Sequence, residues 1–223
     1  GLLSVGSSVA ARSILAHGTH LARPDARRVS LRVAAMAHNP RSNMNNAVGY
    51  APVAHMRNVL LGTDGIGNDM FTEARCAWFK VRDAAAGART SGQRGPGMNL
   101  SPESVAPASR RWNRAGIGPA EVVAMLAHGA RVAGSFLGGP LGRLVSGAAA
   151  DLVVTDYLPA TPLDEDNAAG HLIFSLGPQH VRHVMVGGEW ALRDRRAVLL
   201  DEHEVRSRAV EVTRALWSRL RAL

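Results

Sequence analysis

The chain has 223 residues, enough for one sizeable core or two modest ones, and its 46% apolar content is ordinary for a globular protein. Its single cysteine, Cys76, excludes an internal disulfide framework and points to a reducing, cytoplasmic setting; no run approaches the roughly 18 apolar residues of a membrane span, and the first residues lack the basic-then-apolar pattern of a signal peptide. A net charge of +8 invites nucleic acid, but every basic residue except Lys80 is arginine, scattered rather than clustered, and aromatics at 4% leave little for base stacking, so neither nucleic acid nor membrane is an expected partner.

Ser13 to Ala16 is a short apolar run ending in His17, which predicts a strand. Pro24-Asp25-Ala26-Arg27 opens a short helix with proline in its first turn, within an Arg-rich stretch from Leu21 to Arg32. Val33 to Ala37 is the next strand. Asn39 to Pro52, rich in Asn, Pro and Gly, reads as a loop. Val59 to Gly62 is a third strand. Asp69 to Ala86 has helical periodicity, with Met70, Ala74, Ala77, Trp78 and Val81 on one side, Asp69 as N-cap and Glu73 near the positive helix end. Strand and helix therefore alternate, which argues for a parallel α/β architecture.

Gly87 to Pro107 is a stretch of low order. Pro119 to Gly134 predicts a helix, and the glycine-rich run Gly138 to Gly147 closes the α/β part. Asp151 to Thr155, Leu172 to Ser175 and Val181 to Val186 are short strand candidates, and Gly187-Gly188 before Trp190 to Leu192 predicts a hairpin. The expected domains are 1–137 and 138–223. Asp201 caps a final helix with Glu204 three residues on; its apolar stripe, Val205, Ala209, Val212, Leu216 and Leu220, is expected to pack on its own domain.

Two apolar strands end abruptly in polar residues, in His38-Asn39-Pro40-Arg41-Ser42-Asn43-Met44 and in Gly62-Thr63-Asp64-Gly65. Parallel strands deliver side chains to a site at their C-terminal ends in this way. Asp64, flanked by glycines and with Thr63 beside it to bond the carboxylate, is a candidate metal ligand and proton acceptor. His17 ends its own strand and is a candidate acid, base or substrate donor; His20 diverges from it and makes no metal pair with it. Arg41 and Asn43 are candidate substrate-binding residues, and the alternative for each is bracing of the loop. Cys76 lies mid-helix beside Ala77 and Trp78 and reads as a core thiol.

Leu15-Ala16-His17-Gly18, the Ala37-to-Asn46 segment and Leu61-Gly62-Thr63-Asp64-Gly65-Ile66-Gly67 carry a resemblance, joined by Gly129-Ala130-Arg131, Ala149 to Val154 and Val184 to Gly188. In this order, over nearly the whole chain, they resemble the C-terminal part of an amidohydrolase-superfamily enzyme, most like the SsnA-type aminohydrolases and the chlorohydrolase and guanine-deaminase group. The resemblance implies strands six to eight of a TIM-like (β/α)8 barrel followed by part of a small β-sandwich. It implies that His17 assists the water or substrate, that Asp64 binds a divalent metal, zinc above all, and handles protons, and that the reaction is hydrolysis of a non-peptide C–N bond in a small cyclic substrate.

The superfamily's first-strand His-x-His occurs nowhere in the sequence, and its fifth-strand histidine and nearby glutamate have no counterpart. About 130 residues precede the β-rich unit, where a complete barrel takes about 250. The metal site is therefore expected to be incomplete within this chain, which would assemble as a homo-oligomer or with an N-terminal segment. The alternative is a non-catalytic, truncated or degenerate relative without metal.

Overall fold

The computed structural model describes residues 12–90 and 117–222. They form two compact units, one comprising the described residues up to Gly142 together with Leu158–Pro178, the other Arg143–Tyr157 with Gln179–Leu223. The expected split at 137/138 thus gives way to an interleaved one. The cause is a single helix within 158–178, described below, whose apolar face completes the first unit's core.

In the first unit, β1 (Ile14–Ala16), β2 (Ala35–His38) and β3 (Val59–Leu61) form a parallel sheet in that order. Ala16 pairs with Ala37, and His38 with Leu61, so the three strands end side by side. Helix α1 (Arg23–Ser30) links β1 to β2, with Pro24 at its start and Ala26 and Val29 facing the core. The expected loop after β2 instead begins with a short helix, α2 (Pro40–Asn45). Proline supplies a helical φ at the first position and gives up only an N–H that would have no partner there. Helix α3 (Met70–Thr90) runs beyond the expected Ala86; the remainder of the expected low-order stretch, 91–107, lies outside the described residues. Asp69 caps α3, its carboxylate accepting from the Thr72 backbone N–H (3.0 Å) and the Thr72 hydroxyl.

Helix α4 (Pro119–Leu137) starts where Glu121 reaches back to accept from the Gly118 N–H (2.8 Å). It ends on Gly138 in the left-handed conformation, φ 80°. A Cβ on Gly134 would meet the Gly139 carbonyl oxygen at 2.3 Å, so only glycine lets the chain turn back so tightly. Leu172 to Ser175, expected as a strand, lies mostly in helix α5 (Ala168–Phe174). The Asp164 carboxylate accepts from the Asp166 and Asn167 N–H groups and winds the turn that launches it. Arg75 donates to the Ile173 and Leu176 carbonyls at its far end (both 2.9 Å). Ile173, 0% exposed, joins Met36, Val59, Leu61, Ala77, Trp78, Val122 and Met125 in one core.

In the second unit, β4 (Leu152–Thr155), β5 (Val181–Val186), β6 (Glu189–Arg193) and β7 (Arg196–Ala197) form an antiparallel sheet in chain order. The expected hairpin is present: Gly187 and Gly188 have φ of 58° and 90°, the left-handed pair that matches strand twist. A second tight turn, Asp194-Arg195, takes positive φ without any glycine. Arg182 holds it by bonding the Asp194 carboxylate, whose pKa this contact lowers.

The last helix, α6 (Glu202–Arg221), is capped by Asp201, which accepts from the His203 and Glu204 N–H groups at 2.8 and 3.1 Å. Asp201→Ala is expected to cost about 1 kcal/mol, read as faster amide hydrogen exchange in the first turns of α6. Contrary to expectation, the apolar stripe of α6 does not pack on its own domain: Val205, Val212, Leu216 and Leu220 are all exposed.

Candidate active site at the strand ends

Just past the C-terminal ends of β1 and β3, the chain places His17 and Asp64 together. The ladder runs one residue beyond each strand: the His17 N–H donates to Ala37 O (2.8 Å) and the Gly62 N–H to His38 O (3.0 Å). Parallel register does the rest, since strands that end level bring their next residues to one mouth. His17 Nε2 lies 3.6 Å from Asp64 Oδ2, with both side chains about two-fifths exposed, at 41% and 42%. Both residues adopt left-handed backbone, φ 65° and 51°. That conformation is unfavourable for a residue with a Cβ, and such strain collects where a side chain must be aimed.

The Asp64 carboxylate is held at both oxygens. Oδ2 accepts from the Ser42 hydroxyl at 2.6 Å, and Oδ1 from the Gly65 N–H at 2.8 Å. The Ser42 bond, then the Gly65 bond, keep its pKa below the usual carboxylate range against a smaller opposing effect of burial, with His17 adding to the lowering. Thr63, expected to bond the carboxylate, instead directs its hydroxyl at the Asp64 backbone carbonyl, 3.5 Å away. Ser42 does that work, and the sequence carried no signal for it beyond its place in the polar run after β2.

Asn43 Oδ1 bonds His17 Nδ1 at 2.8 Å. Arg41 donates its backbone N–H to Glu73 Oε1 (3.1 Å), ion-pairs the same carboxylate through Nε, and reaches Gly67 O with a third N–H (2.9 Å). Glu73 is wholly buried, so it is a buried anchor rather than a charge placed for the helix end. Arg41 and Asn43 thus stand in α2 as braces, Arg41 through Glu73 and Gly67 and Asn43 through Oδ1 to His17, which is the loop-bracing alternative to a contact with substrate. Cys76 is half-buried on α3, and burial pushes its thiol pKa up, away from nucleophile chemistry.

Behind this mouth lies a knot of buried polar atoms. Both ring nitrogens of His38, Asn39 Oδ1, Asn43 Nδ2 and the Tyr50 hydroxyl have no hydrogen-bond partner among the described residues. Tyr50 meets His38 edge-on, with ring centroids 6.1 Å apart. Burial, and secondarily the charge of His17, push the His38 pKa down to about 4; burial raises that of Tyr50. An unfolded chain protonates this histidine near pH 6.5, whereas the folded one stays neutral down to about 4, so acid favours unfolding across that window. The shift is worth about 3 kcal/mol. In urea titrations the stability difference between the wild-type protein and His38→Phe should be flat above about pH 7 and change by that amount between about pH 6.5 and 4.

Among the described residues, no three His, Cys, Asp or Glu side chains gather into a group able to hold a metal ion. His17 and Asp64 offer two donors where catalytic zinc sites use three protein ligands. These residues alone do not fit a metal. No helix among the described residues is long and apolar enough to cross a membrane.

A sequence model of the amidohydrolase family matches residues 2–191. This chain belongs to the amidohydrolase family. It is 32% identical over 192 residues to a 5-methylthioadenosine/S-adenosylhomocysteine deaminase of Syntrophobacter fumaroxidans, covering 81% of this chain and 37% of that protein. It is 31% identical to the Halobacterium salinarum enzyme of the same name, covering 92% and 43%. The chain thus spans about two-fifths of the length of these relatives. Among solved structures, an adenosine deaminase from Xanthomonas campestris with bound zinc superposes with a TM-score of 0.65 at 22% identity, over 94% of this chain and 43% of that one. Atrazine chlorohydrolase TrzN from Arthrobacter aurescens, complexed with zinc, gives 0.57 at 21% identity, over 89% and 40%. Both agree with the α/β amidohydrolase fold of the first unit.

Proposed function

We propose that this amidohydrolase chain supplies strands six to eight of a (β/α)8 barrel, and the following β-rich unit, to an aminohydrolase that releases ammonia from an adenosine-type nucleoside. The meeting of His17 and Asp64 at the mouth of the parallel sheet carries the reading. Asp64 acts as proton acceptor, and it would be one ligand of a divalent metal if further strands brought the ligands that the described residues lack; such a metal would activate the attacking water. His17 presents a ring nitrogen to the attacking water. Water adds its oxygen to the sp2 carbon bearing the amino group, a proton passes through the Asp64 carboxylate to that nitrogen, and the C–N bond breaks to free ammonia. The relatives' names support the substrate class, and their greater length supports an assembly with further strands. The apolar stripe of α6 and the exposed Val153, Val154 and Val186 of the second unit are surfaces such an assembly, or a second copy of the chain, would cover.

The test is ammonia release from a panel of adenine nucleosides by protein carrying this chain, with metal counted per chain. Ammonia release that requires metal supports the reading. A second reading, a non-catalytic relative, draws on the two-donor set; ammonia-free incubations and metal-free protein would favour it and sink the first.

A further inference from the structure

We propose that α2 is a clamp, in which Asn43 and Ser42 are positioning residues that set His17 and Asp64 against each other while the buried Arg41–Glu73 pair anchors the helix. This rests on the roles given above to His17 and Asp64. Three successive residues of one short helix reach three different elements. Arg41 reaches Glu73 on α3, Ser42 reaches Asp64 beyond β3, and Asn43 reaches His17 beyond β1. His17 and Asp64 sit past the last strand residues; the ladder still holds the His17 N–H, but the left-handed backbone of both residues leaves their side chains unaimed by the sheet. Their side chains take their direction from elsewhere, and α2 is what touches both. Ser42 and Asn43 are themselves buried, at 2% and 3% exposure, so neither is built to meet a substrate.

The contact with Asn43 has a chemical consequence. With Asn43 Oδ1 facing the ring, an atom that has only lone pairs, the clamp assigns the His17 proton to Nδ1. The Nε2 lone pair then faces Asp64 Oδ2 across 3.6 Å. Two acceptors in that arrangement suit one water that donates a hydrogen to each. Without Asn43, the proton is free to move to Nε2 and bond Asp64 directly, which closes the pair to water. Ser42 and Gly65 each take one carboxylate oxygen, which stops Asp64 from rotating away.

Long-range proton–nitrogen spectra of the 15N-labelled full chain test this, recorded at about pH 8.5, well above the ordinary histidine pKa of about 6.5. His17→Gln identifies the His17 signals by their loss. In the wild-type protein Nδ1 should carry the proton. In Asn43→Ala the protonated nitrogen should become Nε2, and in Asn43→Asp, whose oxygen still accepts, it should remain Nδ1. Ser42→Ala should displace the Nε2 resonance and Ser42→Thr restore it. Wild-type His17 protonated on Nε2, or a folded Asn43→Ala with His17 signals unchanged, overturns the clamp. Should Asn43→Ala not fold, an unmoved Nε2 signal in Ser42→Ala overturns it equally. Because no arm needs ammonia release, the expected tautomers in an inactive protein would remove the enzymatic reading and leave the clamp standing.

Discussion

Asp64→Asn is expected to slow ammonia release by roughly 10³-fold, the scale of a positioned group that moves a proton in the transition state. Asparagine is nearly isosteric, so the fold should tolerate it. Its oxygen can still accept from the Gly65 N–H, and its amide can face Ser42, whose hydroxyl turns to accept instead of donating. What it loses is the negative charge and the ability to take up a proton near neutral pH. The drop should therefore fall on kcat, with KM changed only a few-fold, because the role proposed for this carboxylate is toward the water and the proton rather than toward bound substrate. Steady-state kinetics on an adenine nucleoside, with metal counted in the same samples, decide it. Activity within tenfold of the wild-type protein would remove Asp64 from the chemistry.

Glu73→Ala is expected to destabilise the chain by about 4 kcal/mol. Glu73 is 0% exposed, and the Arg41 side chain it pairs with is 15% exposed. Removing the carboxylate leaves the Arg41 backbone N–H with no acceptor and the guanidinium with Gly67 O alone and no counter-charge, and that penalty exceeds the worth of the pair itself. The urea midpoint reads the loss. A double replacement, Arg41→Leu with Glu73→Leu, should recover most of it, because two apolar side chains of similar volume leave no charge behind. A loss of under about 1 kcal/mol in Glu73→Ala would mean that Arg41 finds other partners. In the folded double variant the anchor of α2 is gone, and the His17 signals should broaden while the core stays intact.

Much of the first unit was legible because it is written in short-range patterns. The runs before His17 and Gly62 read as strands that end in chemistry, and they are β1 and β3. Asp69 and Pro119 announce helix starts, and both helices begin there, running a few residues longer than their periodicity suggested. The Gly187-Gly188 pair announced its hairpin, since two glycines with left-handed φ are what a two-residue turn wants. The turn at Asp194-Arg195 carried no such mark, because a contact from Arg182, outside the turn, holds it.

The misreadings share one cause. Leu172 to Ser175 is as apolar as a strand, but among the described residues no strand pairs with it and Ile173 fills a gap in the core beside the helices, so it coils. Glu73 looked like a charge for the helix end, and Arg41 was open between substrate and loop bracing; they found each other across 32 residues of sequence. Thr63 was the near neighbour of Asp64, yet Ser42, separated from it by 22 residues, took the carboxylate.

By itself the sequence determined the family, the parallel α/β pattern and the two residues that meet at the strand ends, because residue type and spacing along a strand decide what reaches its end. Only the tertiary structure decided which side chains hold those two in place, which charge is buried and which stripe stays bare. Those depend on partners distant in the chain, and periodicity records which face a residue takes without recording what it will meet there.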